Sequence, residues 1–354
     1  MTRARELAEL GSVYDNGALS NRNLIINGAM NVAQRGTSVS VSDGSNEGYQ
    51  TLDRFAFYFS NSAGGACTIS QSTTVPSGQG FSHSYKVDVT TADTSIAATH
   101  SIILQHSVEA QDVRNSGWDY TSTSSYITIS FWARSTKAGT YNVVCRADDV
   151  GHKYYIAEYT LVADTWKKVT VTVPGDSSLV FNDDTGSGLD IRWNLQSGSD
   201  RNQGTADQWN AIDAVNQGTS NQVNFFDSTS NDFYLTGIQL EVGSEATPFE
   251  HRSYGDELLR CQRYYQVGRL LQTGDGAIQY LQASSLFQVQ MRASPTIVVS
   301  DNAGNTGKVS GDATNNINGA AALVSNTGLA IGANNVIIGL NVFMHAHFTA
   351  DAEL

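Results

Sequence analysis

In residues 126–132, Tyr, Ile, Ile and Phe or Trp alternate with Ser and Thr. A period of two places successive side chains on opposite faces of an extended chain, so this pattern demands a half-buried β-strand. A second such run, 141–145, follows the turn Lys137-Ala138-Gly139, and the two together read as a hairpin. Runs at 154–159 and 166–173 repeat the pattern, the latter closed by Pro174-Gly175, and 179–181, 189–193 and 233–242 continue it. Strands at this even spacing predict an all-β sandwich rather than a parallel α/β sheet.

The 354 residues suffice for about two domains, each with its own core. Charged residues make up only 16% of the chain, against roughly 25% in an average soluble protein. The difference is filled by Gly, Ser, Thr and Asn, as expected of an all-β chain. A net charge of −13 repels phosphate backbones and argues against a nucleic-acid partner. No apolar run approaches the roughly 18 residues of a membrane span, and Met1-Thr2-Arg3-Ala4-Arg5-Glu6 is not the start of a signal peptide. A soluble product made in the cytosol, without membrane insertion, is expected. Cys67, Cys145 and Cys261 are widely spaced and form no CxxC or Cys/His cluster, so they read as reduced, mostly buried thiols.

Near the start, residues 2–10 have a helical pattern, with Leu7 and Leu10 on one face, Thr2 as cap and Gly11 as stop. So short a helix does not persist alone in water and needs a docking partner. The stretch 194–232 is long and polar, and reads as either an ordered functional loop or a floppy one. A break falls near Ser253, and 254–265 fits a short helix or a bridging loop. Beyond it, 277–289, 296–299 and 336–348 read as strands, with the Asn/Gly/Ala-rich 302–335 close to low complexity. The expected division is a docking segment over 1–20, a sandwich over 21–252 and a smaller β domain over 253–354.

Asn23-Leu24-Ile25-Ile26-Asn27-Gly28-Ala29-Met30, Gln34-Arg35-Gly36 and Asp53-Arg54-Phe55 resemble the opening of a module common in bacteriophage tail fibres. Phe233-Tyr234-Leu235-Thr236-Gly237-Ile238-Gln239-Leu240-Glu241-Val242-Gly243 with Thr247-Pro248-Phe249-Glu250-His251-Arg252 resembles its close, and Cys261-Gln262-Arg263-Tyr264-Tyr265 its exit. Ile129-Ser130-Phe131-Trp132-Ala133-Arg134-Ser135 and the strand holding Trp166 are similar to jelly-roll carbohydrate-binding modules. Gln290-Met291-Arg292-Ala293-Ser294-Pro295-Thr296 and the last seven residues resemble the tip domain that follows such modules. The resemblance implies a jelly roll with a C-terminal β tip, in a homotrimeric virion protein that contacts the host surface. It departs from long fibres in having only about twenty residues before the jelly roll, where these carry a shaft.

Catalysis has little support. Asp53, Glu109, Asp112, Glu158, Asp190 and Asp232 could in principle supply a glycosidase pair, but no spacing pairs them, and no GxSxG elbow occurs. Sugar binding needs aromatic faces with polar neighbours on a β scaffold. Trp118, Tyr120 and Trp209 sit among turn residues and amides and are the candidates, whereas Trp132, Trp166 and Trp193 lie in alternating strands and are expected to fill the core. Trp193 fits either role. A structural calcium ion is common in carbohydrate-binding jelly rolls, with Asn27, Asp53 and Asp232 the candidate ligands here. His345 and His347, at i and i+2 of one strand, share a face and form the other metal candidate.

Together these features read as a phage fibre or knob. Residues 1–20 would dock to tail or capsid proteins, and the tip, through uncharged loops over 301–335, would choose the host polysaccharide. A structural capsid-decoration or tail-adaptor protein and a polysaccharide-degrading enzyme remain the alternatives.

Overall fold

The structure, a computed structural model, describes residues 22–60, 64–211, 217–274, 280–311, 317–334 and 342–354. The helix expected over 2–10 and the docking segment 1–20 lie outside the described residues. The chain divides into two compact units, one ending at Arg252 and the other running Ser253–Leu354.

The first unit is a jelly-roll β-sandwich. Its strands are β1 (Ser38–Ser42), β2 (Gly48–Tyr49), β3 (Phe55–Ser60), β4 (Ala66–Ser72), β5 (Ser84–Thr91), β6 (Ser101–Glu109), β7 (Tyr126–Ser135), β8 (Gly139–Ala147), β9 (Lys153–Leu161), β10 (Lys167–Pro174), β11 (Ser187–Ser197), β12 (Trp209–Asn210) and β13 (Asp232–Val242). A short helix, α1 (Ala110–Arg114), follows β6. One sheet has six strands in the order β1-β4-β5-β13-β7-β10, and the other seven, β12-β9-β8-β11-β6-β3-β2. All strand pairings within them are antiparallel.

Alternation decides what lies between the sheets. Ile127, Ile129, Phe131 and Ala133 of β7 point inward with Phe233 and Leu235 of β13, and meet Leu189, Ile191 and Trp193 of β11. Trp193 is fully buried, with ring centroids 5.7 Å from Phe131 and 6.5 Å from Phe55. Its expected core role holds. The hairpin expected of β7 and β8 does not form: β7 pairs with β10 and β13, and β8 with β9 and β11 in the opposite sheet. Lys137-Ala138-Gly139 is instead a corner between sheets. Gly139 has φ +140°, and a Cβ there would stand 2.3 Å from Val223 Cγ1. The run 179–181 makes only an isolated bridge, Val150 to Val180.

The described part of 194–232 is ordered by its amide-rich composition. Asn142 Oδ1 accepts from the Thr219 N–H, Asn194 Nδ2 donates to Gln217 O at 2.8 Å, and the Asp207 N–H donates to Ile156 O at 2.8 Å. This loop lies on the outer face of the seven-stranded sheet, where Asn142 and Asn194 would otherwise face solvent.

The opening motif closes the sandwich on itself. Asn23 Oδ1 accepts from the Ile25 and Leu240 N–H groups at 3.0 Å each, and its Nδ2 donates to Ile238 O. Asn27, at φ 62°, spans a turn: its Oδ1 accepts from the Val32 N–H and its Nδ2 donates to Val32 O and Asp53 O. A left-handed backbone and a side chain that mimics a backbone turn are what Asn supplies better than most residues. A Cβ on Gly28 would lie 2.1 Å from Ile238 O, so only glycine lets this segment meet β13.

The second unit opens with helix α2 (Tyr254–Gln262), resolving the helix-or-loop alternative; Ser253 Oγ caps it by accepting from the Asp256 N–H. Its strands are β14 (Tyr265–Gly274), β15 (Tyr280–Leu286), β16 (Thr296–Ser300), β17 (Lys308–Val309), β18 (Ile317–Val324), β19 (Gly328–Asn334) and β20 (Val342–Asp351). They form sheets β14-β20-β16 and β15-β19-β18-β17. A separate core gathers Met291, Val309, Ile331, Met344, Phe348 and Ala350. The loops expected over 301–335 are a correction: much of the described part of that span is strand, because β18 and β19 pair antiparallel and satisfy each other's backbone groups.

Replacing Trp193 by Ala removes a fully enclosed ring and is expected to cost about 3–5 kcal/mol in urea unfolding of the chain; a loss below about 1 kcal/mol would contradict the packing described. The three cysteines are buried thiols, with burial pushing Cys145 up to about 12 and raising Cys67 further, aided by Asp88. At pH 8 none should react with a disulfide-exchange reagent until the protein is unfolded, and rapid native-state labelling would contradict this.

Candidate functional site

The six-stranded sheet turns a second set of side chains outward. On β7 these are Thr128, Ser130, Trp132 and Arg134, the parity opposite to the core residues. Trp132 pairs in register with Lys168 of β10 on one side and Thr236 of β13 on the other. Immediately after Thr236 the β7–β13 ladder slips, so that Gln239 pairs with Ser130. Gly237 occupies this bulge at φ 62°, the left-handed conformation that bulges assign to glycine.

The bulge seats an aromatic wall. A Cβ on Gly237 would lie 2.5 Å from Phe81 Cζ, so the Phe81 ring rests on the strand only because that Cβ is missing. Phe81, Phe249 and His251 pack on one another, with centroid separations of 5.0, 5.3 and 4.9 Å. Outward polar residues of β13 hold the segment after the strand in place. Glu241 accepts from the Thr247 N–H and Oγ1, while Gln239 Oε1 accepts from the Glu250 N–H at 2.7 Å. The result is a hollow of about 450 Å³, within the range of small-ligand sites. Ser130, Trp132, Lys168 and Gly237 line it from the sheet, Gly78, Gln79 and Phe81 from the β4–β5 loop, and Ala246, Pro248, Phe249 and His251 from beyond β13.

Trp132 differs from the other tryptophans. Half-buried on this face, its indole has no ring partner and no hydrogen bond among the described residues. Trp166, also outside the core, leans on Tyr234 with centroids 6.2 Å apart. Both were expected to fill the core. The sequence carries the signal against that for Trp132, which shares its parity with Ser130 and Thr128. Trp118, expected at the surface, is 3% exposed. Its ring packs on Tyr120 and Phe181 and its Nε1 donates to Ser125 O, so it offers no face to a ligand. Tyr120 lies edge-on to Phe181 with centroids 5.0 Å apart. Trp209 is packed on Tyr155, and its Nε1 donates to Pro174 O at 2.7 Å.

The metal candidates each have polar partners within the chain. Asn27 is spent on its turn, and the buried Asp53 carboxylate accepts from the Gln34 N–H and side-chain amide, with Arg35 4.0 Å away. Asp232 instead pairs with Lys86 at 3.0 Å. It starts β13, six residues before Ile238 where the Asn27 turn is bonded, a distance of roughly 20 Å along a strand. The three therefore do not converge. His345 and His347 do share a face of β20, but His345 Nδ1 lies 2.7 Å from Arg269 Nη2 and His347 Nε2 lies 3.1 Å from Asn302 Oδ1. No group of three metal-binding side chains occurs among the described residues.

The candidate carboxylates are likewise engaged. Glu158 holds Thr219 and Asn221, and Glu109 accepts from Gln111 Nε2. Asp190, on the outer face of the seven-stranded sheet, is held by Arg146 and Arg192 at 3.1 Å each and by Ser107 Oγ at 2.6 Å. Arg146 also bridges to Asp148, whose carboxyl is raised above the usual range, first by burial and then by the charge of Asp190.

The sequence matches no family model and no curated protein. Among solved structures, it is similar to the enzymatically active domain of bacteriophage CBA120 tailspike protein 4, at 11% identity and TM-score 0.30, over 57% of this chain and 21% of that one. The chain thus spans about a fifth of that tailspike domain. It is also similar to a family 11 carbohydrate-binding module from Clostridium thermocellum (14% identity, TM-score 0.29, 59% of this chain and 98% of that one). A C-terminal family 22 module of Clostridium thermocellum aligns at 10% identity and TM-score 0.30, over 65% and 98% of the two chains.

Gly237→Ala is expected to destabilise the chain by about 1–3 kcal/mol, from the left-handed backbone and the displaced Phe81 ring. In a Phe81→Ala background the same substitution should cost at least about 0.5 kcal/mol less, since the two sites are in contact. Equal costs in both backgrounds, measured by urea unfolding, would show that Phe81 does not rest on Gly237.

Proposed function

We propose that this chain is a non-catalytic glycan-binding protein of a phage virion, and that it holds sugar in the hollow over Trp132. The observation that carries the reading is the half-buried Trp132 indole, with neither a ring nor a hydrogen-bond partner, on the floor of an aromatic-walled hollow. A pyranose has apolar C–H faces and polar edges, and an indole with open hydrogen-bonding neighbours complements both. Ser130 Oγ and the Gln79 amide supply those neighbours, neither having a side-chain partner among the described residues. The hollow's lining includes no Asp or Glu, which favours binding over hydrolysis, since glycosidases need a pair of carboxylates.

The virion assignment rests on the sequence resemblance of the opening and closing motifs. The second unit offers a different kind of groove, lined by Leu286, Leu323, Val324 and Leu329 with Ser and Thr but with no aromatic ring. Leu286 is 79% and Leu323 69% exposed. Aliphatic walls suit sugar poorly, so the reading assigns glycan contact to the jelly roll rather than to the tip. A threefold assembly would present three hollows together and raise weak single-site binding by avidity.

Trp132→Ala should abolish retention on immobilised bacterial surface polysaccharide while leaving unfolding stability within about 1 kcal/mol of the parent, as expected for a ring outside the core. Undiminished retention by this variant would overturn the proposal.

A further inference from the structure

We infer that the sugar held over Trp132 is anionic, bearing a carboxylate or phosphate that is recognised by Lys168. This rests on the glycan-binding reading above and names the ligand class for the same hollow.

Beside Trp132 one positive charge is left uncompensated. The chain carries 34 acidic residues against 21 basic ones, so an average surface lysine finds acids nearby. Neighbouring cations do. Lys86 pairs with Asp88 at 3.3 Å and Asp232 at 3.0 Å, and Arg134 pairs with Asp164 at 2.6 Å. At the wall, Arg252 pairs with Glu250 at 3.3 Å and Arg22 with Glu241 at 3.6 Å. Lys167 donates to Thr160 O at 2.9 Å. Lys168 alone of these makes no ion pair or hydrogen bond among the described residues, although it is exposed and stands in register with Trp132.

The acids that come nearest in sequence to the wall are directed away or stand outside the hollow. Glu241 is bonded to Thr247, and Glu250 accepts from the Asn23 N–H. Glu245 is exposed but does not line the hollow. Its polar lining side chains are one ammonium, the His251 imidazole, an amide and a hydroxyl, with no carboxylate to repel an anion. A saccharide stacked on Trp132 therefore meets Lys168 on the adjacent strand, within the strand spacing of about 5 Å.

The test uses the full chain on bacterial surface polysaccharides printed in matched pairs: native against carboxyl-reduced for uronate-bearing polymers, and native against dephosphorylated for phosphate-bearing ones. The inference expects retention of native members, loss of roughly tenfold or more in affinity on neutralising the ligand or in Lys168→Gln, and near-parent affinity in Lys168→Arg. Binding should also weaken as salt rises. Whether the uronate or the phosphate pairs respond identifies the anion. Equal binding to both members of each pair, lost in Trp132→Ala but unchanged in Lys168→Gln, would overturn the inference and leave glycan binding standing. Absence of binding to every member, or binding indifferent to Trp132→Ala, would overturn the glycan-binding reading and this inference with it.

Discussion

Strand alternation is the constraint on which the rest of the jelly roll depends. A sheet buried on one face spends every second side chain on the core, and a slip of one residue exchanges the two sets. In β7 that rule sends Ile127, Ile129, Phe131 and Ala133 inward against Trp193 and leaves Trp132 outside with Ser130 and Thr128. The hollow is thus a by-product of core packing: the same register that buries Phe131 presents its neighbour. Binding residues placed on a strand whose opposite face is packed are held more firmly than residues on loops.

Polar groups then build the walls. Gln239 and Glu241 of β13 face outward yet are nearly inaccessible, because the segment carrying Phe249 and His251 is hydrogen-bonded over them. Asn23 and Arg252 tie the beginning of the described chain to the same region, with Arg252 donating to Ile25 O at 3.0 Å. Buried amides and carboxylates satisfied in this way fix one arrangement, since each would be costly to leave unpaired. The opening and closing motifs therefore hold the sandwich together, with the Asn27 amide bonded across its own turn and the Asp53 carboxylate to Gln34.

Much of the architecture was legible from the sequence. The runs 126–132, 154–159, 189–193 and 233–242 all lie in strands, because their alternation reports burial directly. Pairing was less legible: β7 and β8 are separated by a three-residue turn but belong to opposite sheets, a distinction set by long-range partners rather than by the turn. The hollow was largely hidden. A tryptophan in an alternating strand reads as core, yet the parity of Trp132 with Ser130 places it outside, and the turn residues around Trp118 suggest a surface position that its packing on Phe181 overrides. Phe81 and Gly237, 156 positions apart in numbering, meet only through a β-bulge that no local pattern announces.

Trp132 is one of five tryptophans, and each indole N–H gives its own signal in a ¹H–¹⁵N correlation spectrum. Titrating the labelled chain with a pool of oligosaccharides released by mild acid from bacterial surface polysaccharide tests the location of the site directly. The account predicts a saturable shift of the Trp132 indole signal while those of Trp118, Trp193 and Trp209 stay still. A saturable shift at Trp118 or Trp209 with Trp132 unmoved would contradict it.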